Sequence, residues 1–313
     1  MTKTENRIKH APKDTVKQGW VNRLSPDFAW PYLQLMRADR PIGTWLLLWP
    51  GLWSIALARS VYGTDWLAAL GLMVLFAVGA FVMRGAGCVV NDLADRKYDA
   101  MVARTKGRPL PSGRVSAAQA FIFLGGLCLI GLGILLQLNE LTIKLGALSL
   151  ILVVIYPFMK RFTYWPQVML GLTFNWGALM GWTAVGGEIG WPAILLYMGG
   201  LFWTLGYDTI YAHQDKEDDA LIGVKSTALR LMESTPKWLI VFYGLMLGLF
   251  AGAGYLAGIG LGYYLGLGLV LLHFIWQIRT LDMNDSARCL KLFKSNHHLG
   301  FIMFLGILAG QIF

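Results

Sequence analysis

The chain has 313 residues, of which 56% are hydrophobic and 14% charged, with 37 Gly and 13 Trp, and a mean hydropathy of +0.53. That is more apolar surface than a soluble core of this size buries, which excludes an ordinary soluble enzyme and indicates a polytopic membrane protein. The formal net charge of +9 is no sign of nucleic acid, because in a membrane chain the position of charge carries more meaning than its sum.

Residues 1–28 are polar and rich in Lys and lack the apolar centre of a signal peptide. Glu5, Asp14 and Asp27 argue against a mitochondrial transit peptide, and the segment reads as a mostly disordered cytoplasmic tail. Apolar stretches of spanning length then follow at 41–59, 65–88, 116–137, 141–159, 166–185, 190–212, 237–256, 259–279 and 297–313. Barrel-type alternation is absent, and hydrocarbon offers no water to satisfy backbone groups, so the expected fold class is all-α with nine transmembrane helices. With an inside amino terminus, 25 of the 27 Lys and Arg residues fall on the inner side, and only Arg59 and Lys144 fall outside. The positive-inside bias therefore supports nine spans and a cytoplasmic amino terminus. Cys88, Cys128 and Cys289 show no disulfide or zinc spacing. Gly-rich runs inside the spans, such as GLGYYLGLG, read as close helix packing, and most Trp residues as packing or interface anchors.

Most acidic residues collect in the loops after spans 2 and 6, four helices apart, which suggests a duplicated four-helix unit with two halves facing each other. In VVNDLADRKYD, helical spacing sets Asn91, Asp95 and Asp99 along one face with Arg84, while Asp92 is expected to point elsewhere. In GYDTIYAHQDKEDDALIGVKST the same arithmetic sets Asp208, Asp215 and Asp219 on one stripe. Carboxylates gathered at a membrane surface repel one another unless a cation lies between them, and Asp and Asn oxygens suit Mg2+ or Ca2+. Mg2+ keeps positions for substrate phosphates; Arg104, Lys106 and Arg108 follow the first cluster, Lys160 and Arg161 end the fourth span and Lys225 follows the second cluster, so the expectation is a cradle for a metal diphosphate. Tyr156 and Lys160 share one helix face by their i,i+4 spacing. Asp208 lies deeper on the second stripe, and Arg84 either neutralises this buried acid or binds substrate. His297 and His298 have no acidic partner at helical spacing and read as structural. A secondary transporter also places carboxylates in two pseudo-symmetric halves, but its sites lie near the midplane, whereas these acids lie at one surface among basic residues that would repel a free cation.

Together NDLADRKYD, RTKGRPLPSG, YPFMKR and YDTIYAHQDKEDDALIGVKST resemble the UbiA superfamily of intramembrane aromatic prenyltransferases, with RPIGTWLLLWP pointing to its bacterial hydroxybenzoate branch. The likeness runs from about residue 32 to the carboxyl terminus. It implies one nine-helix domain over 29–313, built around a central cavity with a cytoplasmic polar cap, in a bacterial inner membrane. It implies Mg2+ held by Asn91, Asp95, Asp99, Asp215 and Asp219, of which the aspartates with Asp208 are the catalytic set. It implies diphosphate contacts from Arg104, Tyr156, Lys160, Arg161 and Lys225, and aromatic-acid contacts from Arg37 and Arg161. The implied substrates are 4-hydroxybenzoate and a polyprenyl diphosphate drawn from lipid, with no obligate protein partner.

Overall fold

The computed structural model describes residues 15–16, 19–101 and 105–313. Among these, every regular element is helical. In chain order they are α1 (Trp20–Leu24), α2 (Trp30–Leu35), α3 (Ile42–Tyr62), α4 (Trp66–Asp99), α5 (Ala117–Leu135), α6 (Glu140–Phe162), α7 (Pro166–Phe174), α8 (Trp176–Gly186), α9 (Trp191–Ala212), α10 (Lys216–Ile222), α11 (Thr227–Leu231), α12 (Thr235–Leu256), α13 (Leu261–Thr280) and α14 (Ser286–Ala309), with one 3-10 turn at Met232–Ser234. Among the described residues six stretches are long and apolar enough to cross a membrane: α4, α5, α6, the α7–α8 pair, α11 through α12, and α13. The expected spans at 41–59, 190–212 and 297–313 coincide with helices α3, α9 and α14. These three are diluted by Trp, Pro, Gly and polar residues, so by composition they read as less lipid-facing than the others.

Two compact units are present. One takes the described residues of Met1–Thr44 together with Val78–Leu135. Its core joins Val21, Leu35, Met36, Val82, Ala86, Val89, Leu110, Val115 and Leu127. Part of the expected tail is therefore ordered: α1 buries Val21 completely, and Thr15 donates its hydroxyl to Asp39 at 2.7 Å. The physical reason is the apolar side chain of Val21, which a purely polar tail would lack. α4 has 34 residues, about 51 Å at 1.5 Å per residue, against a hydrocarbon thickness of about 30 Å. Its acidic end is therefore carried well past its apolar stretch.

The second unit takes Trp45–Ala77 and Leu136–Phe313. In it α9 packs chiefly on α12 and α7, and α13 on α14. Small residues make the last pair close: a Cβ on Gly266 would stand 2.7 Å from the Gly306 Cα, so the Gly-rich run is a packing device as its sequence suggests. Trp53, Trp182 and Trp203 are fully buried. Trp53 donates to the Gly300 carbonyl at 2.9 Å and Trp203 to Asn296 Oδ1 at 2.8 Å, so neither indole N–H is left unsatisfied. The expected span 166–185 is two helices. Buried Asn175 sits between them and donates to the Gly171 carbonyl and to Thr204 Oγ1, each at 2.8 Å, competing with the helical ladder at the break.

Candidate active site

The first acidic motif rides on the end of α4. Asn91 is partly buried, whereas Asp92, Asp95 and Asp99 are 0%, 1% and 8% exposed. All lie on one unbroken helix, so the register expected for Asn91, Asp95 and Asp99 applies. Asp92, expected to point away, is the most enclosed acid of the set. The reason is drift: at 100° per residue Asp99 stands about 80° round from Asn91 and only about 20° from Asp92. Asp92 and Asp99 therefore share a face two turns apart, and a basic pair meets them. Arg37 Nη2 donates to Asp92 Oδ1 at 2.6 Å. Arg108 Nη1 donates to Asp99 Oδ2 at 2.7 Å and to Asp92 Oδ1 at 3.3 Å.

Local backbone chemistry fixes both arginines. Arg37 lies in the left-handed region at φ 62°, an uncommon conformation for a residue with a Cβ. Arg108 sits in a turn in which its N–H donates to the Thr105 carbonyl at 2.9 Å and its own carbonyl accepts from Ser112 Oγ at 2.7 Å. Thr105 Oγ1 donates to the Asp99 carbonyl at 2.8 Å and ties the loop to the helix end. Arg114 reaches back to Gln34 Oε1 at 2.8 Å and the Gly107 carbonyl at 2.6 Å, and burial lowers its pKa. Arg84 donates to Cys88 Sγ and lies against Gly43, where an added Cβ would stand 2.5 Å from its Nε. Arg104 lies outside the described residues.

The second motif is built differently. Asp208 is half-buried on α9, which ends at Ala212, and a turn intervenes before α10 begins at Lys216. Asp215 is the N-cap residue of α10 and Asp219 lies within it, so the single helical stripe drawn through Asp208, Asp215 and Asp219 is broken at the turn. The break follows from Asp215 leaving helical geometry at φ −113°, ψ 8°. Acidic Glu217 then occupies the first turn of a new helix, where the dipole favours it. His213 is buried in the turn with Nε2 3.0 Å from Thr235 Oγ1, and burial, with a smaller effect of Lys216, pushes its pKa down to about 4. Lys216 Nζ donates to Asn284 Oδ1 at 2.6 Å and to the Met283 carbonyl at 3.1 Å, anchoring the start of α10 to the α13–α14 connection.

Gly223, at φ 72°, turns the chain after α10 and donates its N–H to the Asp219 carbonyl. Only a residue tolerant of the left-handed region serves there. The chain then docks on the end of α6: Lys225 N–H donates to the Lys160 carbonyl at 2.9 Å, and Lys225 Nζ to the Phe162 carbonyl at 3.3 Å. Lys160 and Arg161 are in the last turn of α6, and Tyr156 is one turn earlier and partly buried. The structure thus brings YPFMKR and GVKST together, more than sixty residues apart in sequence, by a backbone bond that no side-chain pattern records.

Mg2+ binds oxygen, which the carboxylates of Asp95 and Asp99 and the amide carbonyl of Asn91 offer in the first motif and the carboxylates of Asp215 and Asp219 in the second. Among the described residues no three His, Cys, Asp or Glu groups form a closed metal cage. Taken separately, each motif offers the kind of donor suited to an ion which takes one or two carboxylates and completes its shell with water and substrate phosphate.

The UbiA prenyltransferase family matches residues 47–308. A bovine protein named 4-hydroxybenzoate polyprenyltransferase, mitochondrial, is 53% identical over 285 residues, covering 90% of this chain and 76% of its own length. An Arabidopsis thaliana protein of the same name is 50% identical over 296 residues, covering 94% and 72%. Among solved structures, an apo UbiA homolog from Aeropyrum pernix K1 superposes with a TM-score of 0.71 at 24% identity over 84% of this chain and 96% of that one. A UbiA homolog from Archaeoglobus fulgidus bound to GPP and Mg2+ gives 0.64 at 20% identity, over 90% and 98%. These relatives correct the expected location: the curated enzymes are mitochondrial proteins of eukaryotes, so a bacterial inner membrane is not supported. Span length and Lys/Arg bias report crossing and sidedness, and neither carries the identity of the membrane. By a family match over most of its length and by relatives at half identity, the chain belongs to the UbiA prenyltransferase family.

Proposed function

We propose that this enzyme transfers the polyprenyl group of a polyprenyl diphosphate to the ring carbon ortho to the hydroxyl of 4-hydroxybenzoate, with Mg2+, as a step in making ubiquinone. The observation that carries the reading is the 53% identity over 285 residues to a protein of that name.

Bound Mg2+ would neutralise the diphosphate and stabilise charge on it as the allylic C–O bond breaks. Asn91, Asp95 and Asp99 of one motif and Asp215 and Asp219 of the other would supply its oxygen ligands. Lys160, Arg161 and Lys225, joined at the end of α6, with Tyr156 and Arg104, take the diphosphate oxygens. Those cations hold the leaving group as it gathers the electron pair of the broken bond. The phenol ring attacks the electron-poor allylic carbon, a C–C bond forms, and the ring proton departs to restore aromaticity. Asp208, half-buried one turn inside the end of α9, orients the phenol or takes that proton. Arg37 or Arg161 pairs with the acceptor carboxylate. For Arg37 this requires exchange of its 2.6 Å bond to Asp92. Residues 29–313 act as one catalytic domain, and all nine long helical stretches cross the membrane.

The test is an acceptor panel: purified protein in lipid with a prenyl diphosphate, Mg2+ and 4-hydroxybenzoate beside other aromatic acceptors, with products identified by mass and ring position. Ortho-prenylated 4-hydroxybenzoate as the dominant product is expected. Preference for a different acceptor would overturn the substrate while leaving the family intact.

A further inference from the structure

Arg108 stands where an ion is expected. Its Nη1 lies 2.7 Å from Asp99 Oδ2 and 3.3 Å from Asp92 Oδ1, and all three residues are at most 9% exposed. Two carboxylates on one face of a helix, enclosed in protein, repel unless a cation separates them. In the structure a guanidinium separates them.

The two ends of this bridge are not equivalent. Asp92 is fully enclosed and is gripped a second time by Arg37 at 2.6 Å. Asp99 lies at the last position of α4 and keeps 8% of its surface exposed. The Arg108 backbone is fixed by its turn with Thr105 and Ser112, so motion is left to the side chain. Giving up Asp99 leaves Arg108 paired with Asp92, whereas giving up Asp92 would leave a buried carboxylate with one cation fewer. The cheaper exchange is at Asp99.

We propose that Arg108 is the positioning residue of the first acidic motif: anchored on Asp92, it holds Asp99 in the metal-free protein and yields that carboxylate to a divalent cation. This rests on Asp99 being a metal ligand. Asp92 is then a fixed anchor, outside the ligand set. The bridge weakens cation binding by the motif in the absence of diphosphate, because an ion that takes Asp99 must first displace Arg108 from it.

The probe is Mn2+ alone, titrated into purified protein in detergent without diphosphate or acceptor and read by electron paramagnetic resonance. Arg108→Gln is expected to bind Mn2+ about tenfold tighter than wild type, within the usual range for coupling between two ligands of one site, and the gain is expected to vanish when Asp99→Asn is added. Arg108→Lys keeps a cation beside Asp99 and is expected to restore weak binding. Asp92→Asn supplies an independent readout if Arg108→Gln does not fold: with its anchor weakened, Arg108 clings to Asp99, and Mn2+ binding weakens. Unchanged or weaker binding in folded Arg108→Gln, or tighter binding in Asp92→Asn, would overturn the proposal. Neither substrate enters this titration, so absence of prenyl transfer in the wild type would refute the proposed reaction without altering the Mn2+ result.

Discussion

Removing the Asp92 carboxylate tests whether burial gives the first motif its rigidity. In Asp92→Ala, Arg37 loses its 2.6 Å partner and Arg108 one of two, and both side chains are only 10% and 11% exposed. Breaking a buried pair from one side costs about 3–5 kcal/mol, because the remaining charge stays desolvated. For a chain of this size that corresponds to a fall in melting temperature of roughly 5–8 °C. Asp92→Asn keeps the shape and an acceptor oxygen, so its loss should be smaller, about 1.5–3 kcal/mol for hydrogen bonds that lose their charge assistance. The comparison is the Lys144–Glu140 pair, which has the same 2.6 Å separation but side chains 68% and 83% exposed. Lys144→Ala should leave the melting temperature unchanged, since water screens that pair. The assay is thermal unfolding of the detergent-solubilised protein followed by tryptophan fluorescence. A melting temperature for Asp92→Ala within a degree of wild type would refute the reasoning, as would an equal loss in Lys144→Ala.

Three further outcomes are expected. Lys216→Met frees the start of α10 from Asn284 and Met283 and should raise the KM for prenyl diphosphate more than it lowers the melting temperature; an unchanged KM in steady-state kinetics would remove any role for this tether. Gly223→Ala forces a Cβ into φ 72°, a strain of about 1–2 kcal/mol, and should lower stability modestly while weakening diphosphate binding through the displaced Lys225, both measurable on one preparation. The imidazole of His213 has its pKa lowered from 6.5 to about 4, so the unfolded chain binds the extra proton first. Its contribution to stability is complete above pH 6.5 and is lost as pH falls toward about 4, and wild type should lose more melting temperature than His213→Gln between pH 7 and pH 4.5.

Helices were legible wherever the pattern was local. α4, α5, α6 and α13 follow from apolar length alone, and Gly266 facing Gly306 follows from small residues within such a run. Registers failed where a side chain competes with the ladder or a cap ends it. Asn175 breaks the fifth stretch, and the turn before Lys216 separates Asp208 from Asp219. The reading of Asp92 failed for an arithmetic reason, since a 40° drift repeated twice carries Asp99 toward it. Pairs such as Arg37 with Asp92, 55 residues apart, and Lys225 with Lys160 depend on tertiary folding and leave no periodic trace. The membrane's identity was not legible at all, because apolar length and basic bias are the same in any bilayer of that thickness.

The central claim is tested most directly by single-turnover transfer of a labelled prenyl group to 4-hydroxybenzoate by protein in lipid, with Mg2+ or with EDTA, in wild type, Asp95→Asn and Asp215→Asn. The account predicts ring-prenylated product in wild type with Mg2+ and its loss by at least about a hundredfold with chelator or with either substitution, the scale of removing one transition-state stabiliser. Product formation that survives EDTA, or full rates in both variants, would contradict it.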